Sequence, residues 1–161
     1  MPALTPSPAW DIWAGKYEKS RVTQSQKKRY HALIVDDHEP TRLLMARILE
    51  QELDLQVTLA GTCEVARRLA EEHVFDVILL DLLMPGIGGF DVLKLIRSES
   101  ANIETPVVVV SVLDDQDSVD RCMALKAHAF VTKPVNRTVL TAIVKAQLSR
   151  EPQAQNRGIS S

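Results

Sequence analysis

The sequence predicts an α/β protein in which helices cover both faces of a five-stranded, doubly wound parallel sheet. Short apolar runs alternate with longer segments whose apolar residues recur at helical spacing. Parallel strands need a crossover between them, so a regular alternation of strands and helices is typical of such a sheet. The chain of 161 residues is long enough for one domain of this kind with appendages.

The predicted strands are short runs of apolar residues. Four consecutive apolar residues at 77–80 are typical of a strand buried on both faces, and Pro85 with Gly86 forces a turn soon afterwards. Pro106 marks the start of the fourth strand. In chain order, the strands are predicted over residues 32–35, 55–60, 75–80, 107–110 and 129–131.

The predicted helices carry apolar residues at intervals of three and four positions. The last helix shows this most clearly, with a stripe formed by Val139, Leu140, Ile143 and Val144. Two helix starts are supported by residues whose side chains cap helix N-termini, Thr62 and Asn136. In chain order, the helices are predicted over residues 39–53, 62–73, 88–97, 114–126 and 136–149.

The chain is expected to consist of a domain at 31–149, an N-terminal extension at 1–30 and a polar tail at 150–161. In the extension, Trp10, Trp13 and Tyr17 lie at positions i, i+3 and i+7, so a short helix there has one aromatic face before a polar linker. Two interpretations stay open. The extension folds back over its own domain or stays frayed, or it docks on a partner or on a second copy as a homodimer.

Composition and charge exclude several classes of protein. Apolar residues make up 45% and charged residues 25%, and the net charge of −2 gives no case for direct nucleic-acid or membrane binding. Cys63 and Cys122 are too few for a disulfide framework and lack the spacing of a metal site. No signal peptide and no apolar stretch near the roughly 20 residues of a membrane span is present. We therefore expect a cytoplasmic protein.

Acidic residues follow two of the predicted strands. Asp36 and Asp37 follow the first strand, and Asp81 follows the third. In doubly wound sheets the site lies at the carboxyl ends of the strands, and with the order 2-1-3-4-5 the first and third strands flank it. That order brings the three carboxylates together with Ser111 from the fourth strand and Lys133 from the fifth.

This combination of residues predicts a binding site for a phosphoryl group. Three adjacent carboxylates need a compensating charge, and Mg²⁺ suits them because it prefers oxygen ligands and leaves room for a phosphate oxygen. Lys133 and Ser111 supply an ammonium and a hydroxyl opposite the acids. Asp81 can act as the nucleophile and form an aspartyl phosphate. The alternative is a structural ion-pair cluster.

Residues 31–149 resemble the receiver domain of two-component response regulators, which has a flavodoxin-like fold. The family has an acidic pair, a phosphoacceptor followed by x-x-Met-Pro, a hydroxyl residue after strand 4, an aromatic residue and a Lys-Pro pair. Their counterparts are Asp36-Asp37, Asp81 with Met84-Pro85, Ser111, Phe130 and Lys133-Pro134.

The resemblance implies a role for each residue of the acidic site. Asp81 would accept a phosphoryl group from a histidine kinase or phosphotransfer protein. Asp37 and Asp81 would bind Mg²⁺ directly, Asp36 mainly through water, and the main-chain carbonyl of Leu83 would complete the metal site. Lys133 would pair with Asp81 and then with the phosphoryl group.

The resemblance also implies a conformational switch. Ser111 would move to the phosphoryl group and Phe130 would turn inward into the vacated space. A downstream protein would then bind the surface formed by the fourth helix, the fifth strand and the fifth helix. Such a protein catalyses only its own phosphorylation and dephosphorylation, so we do not expect an enzyme that acts on other substrates.

Four residues depart from the family pattern. Val112 replaces a small residue, which predicts narrower access to the phosphoryl site. Lys126 replaces a glycine that is common before strand 5, so we expect a rebuilt turn there and a displaced fourth helix. Leu83 and Leu113 are apolar where polar side chains help to orient the attacking water, which predicts slow loss of the aspartyl phosphate.

Two other functions are compatible with a fold of this kind. An aspartyl-phosphate phosphatase needs a second acid two residues after its nucleophile, where Leu83 lies here. A receiver-like scaffold that is never phosphorylated has the same fold and differs only in failing to bind a phosphoryl group.

Overall fold

The computed structural model describes residues 27–150, in which five strands and five helices alternate as predicted. Residues 1–26 of the predicted extension (1–30) and residues 151–161 of the predicted tail (150–161) lie outside this range. The elements are β1 His31–Val35, α1 Glu39–Leu53, β2 Gln56–Ala60, α2 Cys63–Glu72, β3 Val77–Leu80, α3 Gly89–Glu99, β4 Val107–Ser111, α4 Gln116–Ala124, β5 Ala129–Thr132 and α5 Arg137–Leu148. None of these helices is long and apolar enough to cross a membrane.

The five strands form one parallel sheet in the order β2-β1-β3-β4-β5, which confirms the predicted fold. Val35, the last residue of β1, pairs with Leu80, the last residue of β3. The residues that follow these two strands therefore leave the sheet side by side. Ser111 at the end of β4 pairs in turn with Thr132 at the end of β5.

Two apolar cores lie on the two faces of the sheet. Successive residues of a strand point to opposite faces, so Leu33 and Val35 pack with α2, α3 and α4, whereas Ala32 and Ile34 pack with α1 and α5. All four residues are completely buried. Burial on both faces explains why β1, β3 and β4 consist mainly of consecutive apolar residues, whereas the edge strand β2 is partly exposed and includes Gln56 and Thr58.

The third strand begins at Val77, two residues later than predicted. The main-chain groups of Phe75 form hydrogen bonds with side chains rather than with a neighbouring strand. Its N–H donates to Asn102 Oδ1 at 2.8 Å, and its carbonyl accepts from Thr105 Oγ1 at 3.0 Å. The apolar character of Phe75 suggested a strand residue, but its backbone belongs to the loop.

The turn after α4 contains Lys126 in the left-handed conformation, with φ of 63°. The Lys126 N–H donates to the carbonyl of Met123, and the Ala127 N–H donates to that of Cys122. These two bonds define a Schellman motif, which requires a left-handed residue and is usually made with glycine. The lysine therefore occupies the glycine conformation, and the turn is not rebuilt in the way the sequence suggested.

A polar network ties together the loops at the amino ends of the strands. Asn102 is completely buried and donates to the carbonyls of Ala70 and His73, each at 2.7 Å. Arg97 donates to the carbonyls of Thr105 and Lys126. Each of these bonds satisfies a main-chain carbonyl that no strand or helix reaches.

His128 joins this network as an acceptor, which predicts acid sensitivity. Its Nδ1 accepts from the Val107 N–H at 3.3 Å and lies 3.2 Å from an Arg97 nitrogen. Burial, followed by the charge of Arg97, lowers the pKa of His128. The unfolded chain therefore binds the proton more readily, so stability falls as pH decreases below about 6.5, by up to about 1.4 kcal/mol per pH unit.

Urea unfolding at pH 7.5 and pH 5.5 measures this effect. His128→Asn keeps an acceptor oxygen near the Nδ1 position but cannot be protonated. We expect the wild type to lose more stability than this variant between the two pH values. Equal losses in the two proteins would assign the acid sensitivity to other groups.

Candidate functional site

Three carboxylates meet at the carboxyl edge of the sheet. Asp36 and Asp37 directly follow β1, and Asp81 directly follows β3. One oxygen from each lies within 4.8 Å of the others. Asp36 is completely buried and Asp81 is 4% exposed, whereas Asp37 is exposed. The cluster is therefore closed on the protein side and reaches solvent through Asp37.

Hydrogen bonds fix the two buried acids. The Asp36 N–H donates to the carbonyl of Ala60 at 3.1 Å, and the Asp81 N–H donates to that of Val35 at 2.9 Å, so both residues continue the pattern of the sheet. Asp36 Oδ1 accepts from the main-chain N–H of His38 at 2.9 Å, and Asp81 Oδ1 accepts from that of Leu83 at 3.1 Å. One oxygen of each carboxylate remains for a cation.

Lys133 supplies a cation from the loop after β5. Its Nζ lies 2.8 Å from Asp36 Oδ2 and 3.1 Å from Asp81 Oδ2, and its side chain is 14% exposed. Burial by itself lowers the pKa of Lys133, but hydrogen bonds to Asp36 and then Asp81 outweigh it, so the pKa is raised. The ammonium is charged at neutral pH. One ammonium cannot neutralise three carboxylates, so the remaining negative charge favours binding of a further cation.

Ser111 lies at the same edge of the sheet, but its hydroxyl is hydrogen-bonded to the main chain of the loop that follows β4. It is completely buried at the end of β4, and its hydroxyl accepts from the Leu113 N–H at 3.3 Å. Phe130 in β5 is half-buried and packs against the core formed with α2, α3 and α4. The movement of these two side chains on phosphorylation stays a prediction.

Exposed apolar side chains occupy the loops that follow β3 and β4. Leu83 is 48% exposed, Ile87 50% and Val112 56%. The sequence pattern singles out Leu83 and Val112 but not Ile87. The position of the Leu83 carbonyl as a metal ligand stays a prediction.

Two contacts that shape the site could not be predicted from the sequence. Arg42 in α1 donates to the main-chain carbonyl of Asp36 at 2.7 Å, although an arginine on a helix is usually a solvated residue. Gly89 begins α3, and its N–H donates to the carbonyl of Leu82 at 3.1 Å. A Cβ atom on Gly89 would lie 2.5 Å from Leu82 Cα and still closer to the Asp81 carbonyl oxygen. Neither contact has a local sequence signal.

Comparison with protein families places this site in a known context. Residues 32–145 match the family described as the response regulator receiver domain. The sensory/regulatory protein RpfC of Xanthomonas campestris is 37% identical over 105 residues, which are 64% of this chain and 14% of RpfC. The chain thus spans about a seventh of the length of that relative.

Solved structures show the same fold. The beryllofluoride-activated receiver domain of DrrB, from Thermotoga maritima, is 30% identical, with a TM-score of 0.68 over 76% of this chain and 99% of that one. The receiver domain of the sensor histidine kinase PA1611 from Pseudomonas aeruginosa, solved with magnesium in its active-site cleft, has a TM-score of 0.69 at 22% identity over 76% and 99% of the two chains. With the sheet order, the acids at its carboxyl edge and the family match in agreement, the chain belongs to the response regulator receiver domain family.

Proposed function

We propose that this chain is a phosphorylation-dependent signalling switch in which Asp81 accepts a phosphoryl group from a histidine kinase or a phosphotransfer protein. The main support for this proposal is the position of the Lys133 ammonium, which lies 3.1 Å from an Asp81 oxygen beside a cluster of three carboxylates. An ammonium at this distance can bind the oxygens of a phosphoryl group that is attached to Asp81. The chain acts on no other substrate and catalyses only its own phosphorylation and dephosphorylation.

The transfer step uses Asp81 as the nucleophile. An Asp81 oxygen forms a bond to phosphorus while the bond between phosphorus and the donor imidazole nitrogen breaks. The electron pair of that bond stays on the imidazole, which takes up a proton. Lys133 then pairs with the phosphoryl oxygens, and Ser111 donates its hydroxyl hydrogen to one of them.

The acidic residues fit a magnesium ion. All the side-chain donors are carboxylate oxygens, and they lie within 4.8 Å of one another, which suits a hard divalent cation. Asp37 and Asp81 would hold Mg²⁺ directly, Asp36 through water, and the Leu83 carbonyl would complete the set. A bound Mg²⁺ supplies positive charge that stabilises the phosphoryl oxygens during transfer.

The output of the switch is proposed to be binding of a downstream protein. Ser111 pairs with Thr132 in the ladder between β4 and β5, and Phe130 lies in the same strand as Thr132. A shift of Ser111 and Phe130 would therefore alter the surface of α4, β5 and α5. Met123 and Val139 are 48% and 46% exposed on this surface and offer apolar contacts.

Beryllofluoride binding tests the proposal, because this complex mimics a phosphoryl group on a carboxylate. We expect the wild type to bind it only in the presence of Mg²⁺, as followed by fluorine NMR, and Asp81→Asn to bind none. Failure of the wild type to bind under these conditions would favour the scaffold that is never phosphorylated. The phosphatase alternative keeps no support, because Leu83 stands where its second acid is needed.

Leu83 is predicted to slow the loss of the phosphoryl group. Its side chain cannot hydrogen-bond to an attacking water, so Leu83→Asn is expected to speed hydrolysis by roughly tenfold, the value of one hydrogen bond of about 1.4 kcal/mol. Leu113→Glu is expected to act in the same direction. The decay of the phosphorylated protein measures the rate, with Ile87→Asn as the control at a similarly exposed residue. An unchanged rate in both variants would remove this role for the two leucines.

A further inference from the structure

A cleft of about 730 Å³ lies at the amino edge of the sheet, opposite the acidic site. Its walls come from the residues before β1 and β3, the loop between α3 and β4, His128 before β5 and the end of α5. Large apolar side chains in these walls are exposed: Tyr30 by 40%, Val74 by 68% and Ile103 by 46%. Nothing in the proposed phosphoryl chemistry uses this surface.

The chain enters the domain at this cleft. Lys28 lines it and forms an ion pair with Asp76 at 3.6 Å. The neighbouring Arg29 donates to the carbonyl of Asp54 at 3.1 Å, and the carbonyl of Tyr30 accepts from the Gln56 N–H. These contacts fix the start of the described chain at the rim, so the segment before it is tethered next to the cleft.

We propose that the cleft binds the aromatic segment Trp10–Tyr17 of the same chain. The side chains of Trp10, Trp13 and Tyr17 are large, mainly apolar groups, which are the groups that contribute most at buried interfaces. A volume of about 730 Å³ lies within the range of pockets that enclose small organic ligands, so it can accept indole rings but not a whole helix. The proposal does not depend on the proposed phosphorylation.

Tethering makes this docking favourable even when the contact itself is weak. Only ten residues separate Tyr17 from Lys28. A tether of this length gives an effective concentration of about 1 mM, so an intrinsic Kd of roughly 100 μM would leave about nine tenths of the molecules docked.

Hydrogen bonding favours the same occupant. The cleft contains the carboxylates of Asp76 and Glu104 and the basic groups of Lys28 and Arg150, so these charges balance. The Asp76 carboxylate already contacts Lys28 and the His31 N–H, whereas the Glu104 carboxylate can accept the indole N–H of a tryptophan.

The tail after Arg150 also starts at the cleft but suits it less well. Arg150 lines the cleft, yet residues 151–161 contain no aromatic side chain and a single large apolar residue, Ile159. The aromatic segment therefore offers far more apolar surface for burial.

Tryptophan fluorescence tests the proposal in the full-length protein, because the two tryptophans of the chain are both in the segment. We expect acrylamide to quench the wild type at least about twofold less than a free tryptophan amide, as docking shields the rings. Ile103→Glu places a charge in the cleft and should raise quenching towards the free value. Leu44→Glu is the matched control, since Leu44 is similarly exposed, at 44%, and lies on α1, which does not line the cleft.

Three outcomes would overturn the proposal: quenching of the wild type equal to that of the free amide, quenching of Ile103→Glu equal to that of the wild type, or shielding that disappears on roughly hundredfold dilution. The last result would assign the cleft to a second copy. Far-UV circular dichroism shows whether Ile103→Glu folds, and Val74→Glu, at a residue 68% exposed, provides a second cleft variant. Beryllofluoride binding at Asp81 reports separately on the proposed function.

Discussion

Lys133→Met is expected to lower the free energy of unfolding of the metal-free protein by about 3 kcal/mol, because removing one partner of a buried ion pair leaves the other charges uncompensated. Asp36 and Asp81 are almost completely buried and share this one ammonium at 2.8 and 3.1 Å. Urea unfolding in the presence of a chelator measures the loss. Lys145→Met, at an exposed lysine of α5, is the control and should change stability by less than about 0.5 kcal/mol.

The same Lys133→Met variant should bind Mg²⁺ more tightly than the wild type. In the wild type, the ammonium already neutralises part of the charge of the carboxylates, so a metal ion gains less by binding there. Part of the lost stability should therefore return on addition of Mg²⁺, since a ligand that binds only the folded state stabilises it.

Phosphoryl uptake from acetyl phosphate should fall by roughly a hundredfold in Lys133→Met at saturating Mg²⁺, the usual effect of removing one group that stabilises transferring charge. Weaker Mg²⁺ binding in this variant would show that Lys133 positions the acids rather than competing with the metal. Uptake at the wild-type rate would remove Lys133 from the transfer step.

The acidic site could be predicted from sequence because strand order and strand ends determine it. Asp36 and Asp81 follow apolar runs that can be recognised as buried strands, and adjacent parallel strands deliver the residues after them to one place. Lys133 was found for the same reason, since it directly follows β5. In these cases a local pattern and a topological rule together locate the side chain.

Other parts of the structure depend on contacts between loops that no local pattern reveals. Asn102 is completely buried, yet in sequence it resembles an ordinary loop residue. Its partners Phe75 and Ala70 lie 27 and 32 positions away. The same limitation hid the bond from Arg42 to the Asp36 carbonyl and the late start of β3 at Val77.

Gly89→Ala is expected to destabilise the domain by about 3 kcal/mol and to weaken beryllofluoride binding. The added methyl group would lie 2.5 Å from Leu82 Cα and closer still to the Asp81 carbonyl oxygen, and backbone atoms cannot rotate aside as a side chain can. The helix α3 must therefore shift away from the loop that carries Asp81. Because Gly89 also donates its N–H to the Leu82 carbonyl, the shift disturbs the residue next to Asp81.

Gly88→Ala is the matched control for this effect. A Cβ atom at Gly88 meets nothing within 4 Å, and the residue has φ of −66°, which alanine adopts without strain. We expect this variant to change stability by less than about 1 kcal/mol, the difference between glycine and alanine near a helix N-terminus. Urea unfolding and fluorine NMR of the two variants measure both effects. Similar losses in both variants would show that glycine is needed at position 89 for backbone flexibility, and not because α3 lies close to Asp81.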